Sequence, residues 1–127
     1  RLIKAMVARD LPIKGAKVLV AGFTFKENCP DTRNTKVIDL LSHMRGWGIE
    51  TSVADTWANP AQVQEEYGLH IETALPETGE YDAIVLTVAH EEVVRSGAER
   101  LRRLLKPQGV LFDMKSAFDI TKSDLRL

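Results

Sequence analysis

Short runs of apolar residues alternate along the chain with segments of helical period. Four of these runs predict β-strands, and they are Lys17–Phe23, Thr51–Asp55, Tyr81–Val88 and Gly109–Asp113. The third run is nearly continuous in apolar residues, which is typical of a strand buried on both faces of a sheet. A further short strand is predicted at residues 70–72, where Ile71 lies between two polar residues.

The segments between the strands have the spacing and the end signals of helices. The clearest is Thr35–Arg45, whose apolar residues recur at the i, i+3, i+4, i+7 positions of one helix face. The other predicted helices are Leu2–Arg9, Pro60–Tyr67, Glu91–Ser96 and Ala98–Lys106. Strands that alternate with helices, without internal repeats, predict an α/β fold. We therefore expect a three-layer, Rossmann-like domain with a mainly parallel sheet.

Composition narrows the classes of function. The chain has 127 residues, the usual size of one domain, and its 17 Lys and Arg balance 18 Asp and Glu. Nucleic-acid binding is not predicted, because it would require a clustered excess of basic residues. No apolar run approaches the ~20 residues of a membrane span, and no signal-like segment opens the chain. We expect a cytoplasmic domain, and the absence of an initial Met indicates a piece of a longer polypeptide.

The segment after the first strand is the first candidate for a binding site. Residues 22–35 form a charged connection of about a dozen residues, whereas such connections usually need 2–6. Ligands of open α/β sheets bind beyond the carboxyl ends of the strands, where this segment begins. However, it lacks the Gly-x-Gly-x-x-Gly and Gly-x-x-x-x-Gly-Lys-Ser/Thr patterns of nucleotide loops. Asp55 is placed where an acid could bind a ribose hydroxyl, but without those glycines a turn or capping aspartate is favoured.

Two cations of this segment could bind an anionic ligand. Arg33 can grip a phosphate or carboxylate through two parallel hydrogen bonds, and Lys26 offers a mobile point charge. Asp31 lies two residues before Arg33, so a local ion pair is an equally open alternative for this arginine.

The same segment carries a resemblance to a known family. It reads GFTFKENCPDTRNT, in which the Phe-Lys pair, Asp31 and Arg33 are in register with a Gly-x-x-Phe-Lys…Asp-x-Arg signature. It resembles the opening of the C-terminal, UDP-binding domain of the UDP-glucose/GDP-mannose dehydrogenase family. The resemblance extends over about residues 14–119, and it is nearest to the bacterial branch that oxidises UDP-N-acetylhexosamines for polysaccharide synthesis.

This resemblance implies an enzyme of three parts. An N-terminal domain binds NAD, a central helical region carries the dimer interface and a nucleophilic cysteine, and the C-terminal domain closes over the nucleotide end of the UDP-sugar. The reaction is the two-step, NAD-dependent oxidation of the sugar C6 alcohol to a carboxylate. On this view residues 1–13 end a linking helix, and residues 14–127 form the UDP-binding domain. The implied partners are a UDP-sugar and the enzyme's own other domains, with a homo-oligomer as the full-length enzyme.

The resemblance also implies roles for individual residues. Phe25, Lys26 and Lys115 would bind the UDP-sugar, although many members have an arginine at the position of Lys115. Arg33 would reach across to the NAD held by the N-terminal domain. No catalytic residue is expected in this chain, because the family's nucleophilic cysteine lies outside it and Cys29 occupies a position where other members have threonine.

A metal site is not expected, because the histidines occupy separate elements without carboxylates or cysteines at ligand spacing. Exposed or capping roles are predicted for these three residues, His43, His70 and His90. The alternative to the enzyme hypothesis is a stand-alone Rossmann-like module that binds a nucleotide or regulates a partner without catalysis.

Overall fold

A parallel sheet of five strands organises the molecule, which is described here from a computed structural model covering residues 1–33 and 35–126. Along the chain the strands are β1 (Lys17–Ala21), β2 (Glu50–Ala54), β3 (Tyr81–Leu86), β4 (Leu105–Asp113) and β5 (Leu125–Arg126). Their spatial order is β2-β1-β3-β4-β5, and every neighbouring pair is parallel. The predicted parallel α/β sheet is therefore confirmed.

Helices cover both faces of this sheet. They are α1 (Leu2–Ala8), α2 (Val37–Gly46), α3 (Pro60–Tyr67), α4 (Glu91–Ser96) and α5 (Ala98–Arg103), and a short 3₁₀ turn follows at Ile120–Lys122. Buried side chains of α1, α2 and α3 pack on one face, against Val18, Val20 and Val85. On the other face, α5 packs against Leu19, Ile84 and Leu111. The three-layer architecture is thus confirmed, with the core divided between the two faces.

The end signals of α3 explain why this helix forms where the sequence predicts it. Asn59 Oδ1 accepts hydrogen bonds from the backbone N–H groups of Ala61 and Gln62, and Pro60 occupies the first helical position. Gly68 ends the helix in the left-handed conformation, at φ 67°. Both ends of α3 are therefore specified locally.

The C-terminal third departs from the predicted elements. The helix predicted for Ala98–Lys106 ends at Arg103, because Leu105 pairs with Tyr81 and extends β4 backwards through Pro107. A register shift beyond Tyr81 accommodates the residues of β4 that cannot continue a regular ladder. Strand β5 was not predicted, since two residues carry no periodic signal. The strand expected at residues 70–72 is reduced to an isolated bridge between Ala54 and Glu72.

The strand order fixes where a ligand cleft can open. The connection from β1 runs to β2 on one side, whereas the connection from β3 runs to β4 on the other. The two chain paths diverge at the carboxyl ends of β1 and β3, which is the topological switch point of an open α/β sheet. The loops that follow β1, β3 and β4 all emerge at this edge.

Candidate functional site

A cleft of about 260 Å³ lies at the switch point. Its wall combines the loop after β1, the start of α2, the end of β3 and the loop after β4, through Thr24, Phe25, Thr35, Lys36, Val37, Thr87, Val88 and Lys115. A smaller apolar cavity adjoins it and shares four of these residues, Lys36, Val37, Thr87 and Lys115. The site is therefore built by segments far apart in sequence.

Gly22 allows the loop after β1 to cross the end of β3 closely. It has a φ of 118°, and a Cβ added there would lie 2.6 Å from the backbone nitrogen of Val88. Thr87 reinforces the approach, because its hydroxyl lies 2.6 Å from the carbonyl oxygen of Gly22 and 2.9 Å from that of Ala21. A side chain at residue 22 would push the loop away from the cleft.

Asp55 holds the start of this loop from the neighbouring strand. Its Oδ2 accepts hydrogen bonds from the backbone N–H groups of Phe23 (2.6 Å) and Thr24 (3.0 Å). Its Oδ1 accepts from those of Trp57 (2.7 Å) and Ala58 (2.8 Å). This confirms the turn aspartate that the sequence favours, and both oxygens are already engaged by the protein.

His90 completes the network from the start of α4. Its ring is fully buried: Nε2 lies 2.9 Å from Asp55 Oδ2 and 3.0 Å from Thr24 Oγ1, and Nδ1 accepts the backbone N–H of Asn28 at 3.0 Å. Burial alone would raise the pKa of Asp55, but the hydrogen bonds from His90 and from two backbone N–H groups lower it to about 2. The carboxylate is therefore ionised throughout the neutral range.

The exposed or capping role predicted for the histidines is thus wrong for the His90 ring. His43 and His70 are exposed as predicted. The sequence does contain a signal for the burial of His90. The apolar run of β3 continues almost to this residue, so His90 lies just beyond the buried carboxyl end of the strand. Its partners Asp55 and Asn28 lie 35 and 62 residues away, so no spacing rule reveals them.

Thr24, His90 and Asp55 have the residue types of a hydroxyl–base–acid triad, but their geometry does not permit nucleophilic chemistry. All three side chains are buried, and the Thr24 hydroxyl donates to the carbonyl oxygen of Lys26 at 3.1 Å. A nucleophile has to reach the substrate with its proton directed to the base. The network therefore holds the loop in place.

A second buried aspartate shapes the loop after β4. Asp113, the last residue of the strand, accepts hydrogen bonds from the N–H groups of Lys115 (3.1 Å), Ala117 (3.1 Å) and Phe118 (2.9 Å). Between them Ser116 adopts a φ of 52°. This tight turn carries Lys115 into the wall of the cleft.

The structure brings together two of the three residues predicted to bind the UDP-sugar. Phe25 and Lys115 line the cleft, and 55% of the Phe25 surface is exposed. Lys26 follows Phe25 on the exposed part of the loop and does not line the cavity. Sequence reasoning missed Lys36, which reaches the cavity because it precedes the first turn of α2. Within residues 1–33 and 35–126, no carboxylate forms an ion pair with these three lysines.

Arg33 pairs with Asp31, as the local alternative predicts. Its Nε lies 3.0 Å from Asp31 Oδ1 and its Nη2 lies 3.1 Å from Oδ2, while 80% of the arginine side chain is exposed. The side-chain hydrogen bonds raise the pKa of Arg33 and lower that of Asp31. Since exposed ion pairs contribute little to stability, the guanidinium can exchange this partner for another anion.

Neither the thiol nor the helices of the chain add a further candidate site among the described residues. Cys29 is a free, half-buried thiol in the loop after β1. Across the described part of the chain, no group of His, Cys, Asp and Glu side chains is arranged to hold a metal ion. Among the same residues, no helix combines the length and apolar character required to cross a membrane.

Sequence comparisons place these features among known proteins. Residues 19–120 match the model of the UDP-glucose/GDP-mannose dehydrogenase family, UDP binding domain. The whole chain is 46% identical to a Pseudomonas aeruginosa UDP-N-acetyl-D-glucosamine 6-dehydrogenase and 38% identical to one from Salmonella typhi, and it spans 30% of the length of each. It is also 35% identical over 114 residues to the Staphylococcus aureus protein CapL. That alignment covers 90% of this chain and 26% of CapL.

Solved structures confirm the fold. The Methanosarcina mazei NDP-N-acetyl-D-galactosaminuronic acid dehydrogenase superposes on 98% of the chain with a TM-score of 0.80 at 20% identity, and the match covers 26% of that protein. A UDP-D-ManNAc dehydrogenase from Pyrococcus horikoshii gives a TM-score of 0.71 at 18% identity, covering 94% of this chain and 26% of that one. Together with the family match over residues 19–120, these results show that the chain belongs to the UDP-glucose/GDP-mannose dehydrogenase family, in its UDP binding domain.

Proposed function

We propose that this chain is the C-terminal, nucleotide-sugar-binding domain of an NAD-dependent UDP-N-acetylhexosamine 6-dehydrogenase. The observation that carries the proposal is the cleft at the switch point, which Phe25 and Lys115 line from two separate loops in a chain of this family. The 46% identity over the whole chain to a UDP-N-acetyl-D-glucosamine 6-dehydrogenase favours this enzyme over a stand-alone binding module.

The chemistry of the cleft suits the nucleotide end of such a substrate. A diphosphate carries negative charge, and the two lysines that line the cavity, Lys36 and Lys115, form no ion pair with a carboxylate among the described residues. Phe25 offers apolar surface on which a ribose or a base can pack. Lys26, exposed beside Phe25, is positioned to contact the diphosphate from the crest of the loop.

The same loop argues against a complete NAD site within this chain. In a dinucleotide-binding turn the backbone N–H groups after β1 face the pyrophosphate. Here the N–H groups of Phe23 and Thr24 are bound by Asp55, whose oxygens are themselves fully engaged. The exposed Arg33 is the group of this loop that we assign to the cofactor, as a contact to NAD held mainly by the preceding domain.

The remaining parts of the enzyme are proposed from the relatives, since the chain spans about a third of their length. NAD would accept a hydride in each of the two oxidations that convert the C6 alcohol to a carboxylate. The nucleophilic cysteine would belong to the central region, and the full-length enzyme would form a homo-oligomer. Residues 1–13 would join that region to the UDP-binding domain at residues 14–127, and the product would serve polysaccharide synthesis.

Binding of UDP by single-lysine variants tests the proposal. We expect Lys115→Ala and Lys26→Ala each to weaken the affinity of the chain for UDP roughly tenfold, the scale of one charge-assisted hydrogen bond. Lys4→Ala, which removes the same charge from the exposed face of α1, should leave the affinity unchanged. Full-length protein assayed with a panel of UDP-sugars, while NADH formation is followed, tests the reaction. UDP binding that is insensitive to both site lysines, or a full-length protein that oxidises no UDP-sugar, would overturn the proposal.

A further inference from the structure

His90 lies where three parts of the site meet, although its buried ring does not itself line the cleft. It joins the loop after β1, through Thr24 and Asn28, to Asp55 at the end of β2 and to its own position at the start of α4. Between Thr24 and Asn28 lie Phe25 and Lys26, which the proposed function assigns to the UDP-sugar. Any change at this ring therefore acts on both residues through the backbone.

The partners of the ring fix its protonation. The backbone N–H of Asn28 can only donate, so Nδ1 has to present a lone pair to it. Asp55 is an ionised carboxylate that can only accept, so Nε2 has to carry the hydrogen. The Thr24 hydroxyl fits the same assignment, because it donates to the carbonyl oxygen of Lys26 and is free to accept from Nε2. One neutral tautomer satisfies all of these partners.

The loop has a conformation that needs such a support. Asn28 adopts a φ of 52°, in the left-handed region that asparagine tolerates better than most residues. Its side-chain oxygen accepts the N–H of Glu91 at 2.8 Å, one residue after His90. Both the backbone and the side chain of Asn28 are thus tied to the start of α4. Asn28 therefore holds the crest of the loop against the start of α4.

We propose that His90 is a positioning residue of the nucleotide site, acting as a neutral Nε2–H imidazole that links Asp55 to Asn28 and so fixes the loop bearing Phe25 and Lys26. The part of this proposal that concerns the UDP-sugar rests on the proposed function. The part that concerns the tautomer and the loop does not. On α4, Glu92 accepts a hydrogen bond from the indole N–H of Trp57 at 3.0 Å. Trp57 in turn stacks on the His90 ring at a centroid distance of 6.2 Å.

Nitrogen NMR of the imidazole rings tests the tautomer directly. In the ¹⁵N-histidine-labelled chain at neutral pH, His90 should show a protonated Nε2 and an unprotonated Nδ1, without the averaging between tautomers that is expected of an exposed ring such as His43. A His90 signal with Nδ1 protonated, or one averaged between tautomers, would overturn the proposal.

Two substitutions at residue 90 separate positioning from simple packing. His90→Leu removes both hydrogen-bonding atoms, and we expect it to weaken UDP-glucose binding tenfold or more and to shift the amide signals of Phe25, Lys26 and Asn28. His90→Gln supplies a donor and an acceptor on one planar amide, so it should recover most of the affinity. UDP-glucose is the probe because its bridged diphosphate does not titrate near neutrality. His70→Gln, at an exposed histidine, is the matched control and should change nothing.

The outcomes distinguish this proposal from the proposed function. If His90→Gln binds as poorly as His90→Leu, or if His90→Leu binds as well as the unaltered chain, the positioning role is wrong. If His90→Leu does not fold, the affinity and the amide signals of His90→Gln decide alone. If Lys26→Ala and Lys115→Ala leave UDP-glucose binding intact while His90 shows the expected tautomer and loop shifts, the proposed function fails and the loop assignment stands.

Discussion

The two loops that wall the cleft are both held by a buried aspartate, but from different distances along the chain. The loop after β4 is held by Asp113, whose partners lie two, four and five residues further on. The loop after β1 is held by Asp55, which is more than 30 residues away from the N–H groups of Phe23 and Thr24. Among the described residues, Asn28 in the first of these loops in the sequence and Ser116 in the second both adopt a φ of 52°.

This difference separates a turn that forms locally from one that forms only within the completed sheet. The hydrogen bonds that Asp113 accepts need no other part of the chain, because the acceptor is the last residue of the strand and the donors follow within five residues. The loop after β1 needs β2 to deliver Asp55 and α4 to deliver His90. The conformation of the longer loop is therefore a property of the whole domain, and damage to either distant residue should reach the cleft.

The largest expected effect comes from removing the distant carboxylate. Asp55→Ala leaves four backbone N–H groups and His90 Nε2 without their acceptor, so we expect a loss of about 3–5 kcal/mol in the free energy of unfolding. Asp113→Ala removes the acceptor of three N–H groups and should cost about 1–3 kcal/mol. Urea unfolding of both variants measures the two losses.

Asp55→Asn provides the graded control, because one carbonyl oxygen remains to accept hydrogen bonds. Its loss of stability should fall between those of the unaltered chain and Asp55→Ala. Equal losses for Asp55→Ala and Asp113→Ala would show that sequence distance does not matter to how strongly these loops are held.

Acid should reduce the contribution of Asp55 to the free energy of unfolding over a defined pH range. The folded pKa of Asp55 is about 2, below its ordinary value of 3.8, so its contribution is present above about pH 4 and is lost as the pH falls towards 2. The difference corresponds to about 2 kcal/mol. Urea unfolding from pH 7 to pH 2 should show this loss in the unaltered chain and a smaller one in Asp55→Asn. Parallel pH profiles of the two proteins would contradict the assignment.

The smallest expected effect on stability is that of Arg33→Ala. The loop is held by Asp55 and His90, whereas Arg33 makes an exposed ion pair within the loop, so the midpoint of unfolding should not move. If this chain has the proposed function, the KM of the full-length protein for NAD should rise roughly tenfold or more in this variant. Arg33→Lys should recover part of the loss, because lysine restores the charge but not the two parallel hydrogen bonds of a guanidinium. Arg95→Ala removes a similarly exposed ion pair on α4 and should change neither quantity. A destabilised Arg33→Ala chain would show that the loop depends on its own residues.

The same distinction explains how much of the molecule the sequence predicts. Periodicity and capping residues are local, and they correctly predict β1, α3 and the parallel α/β architecture. The extension of β4 back to Leu105 depends on pairing with Tyr81, and β5 depends on a place beside β4, so neither has a local signal.

The candidate site follows the same rule. A long charged segment at a strand end points to the loop after β1, and the Phe-Lys pair within it is visible in the sequence. The clamp formed by Asp55 and His90 arises from residues 35 positions apart. Lys36 lines the cleft from the position just before α2, which starts at Val37 and not at the predicted Thr35.

The buried clamp also determines when the loop loses its conformational freedom. Asp55 and His90 immobilise Phe23, Thr24 and Asn28 as the sheet assembles, so this entropy loss occurs on folding and not on ligand association. A ligand that meets a preorganised surface does not have to order it. We therefore expect the backbone amides at the base of this loop to exchange hydrogen with solvent as slowly as those of β1 even without nucleotide. The loop would then be a rigid surface before the substrate binds. Any motion that encloses the substrate would occur in the polypeptide that packs against this loop.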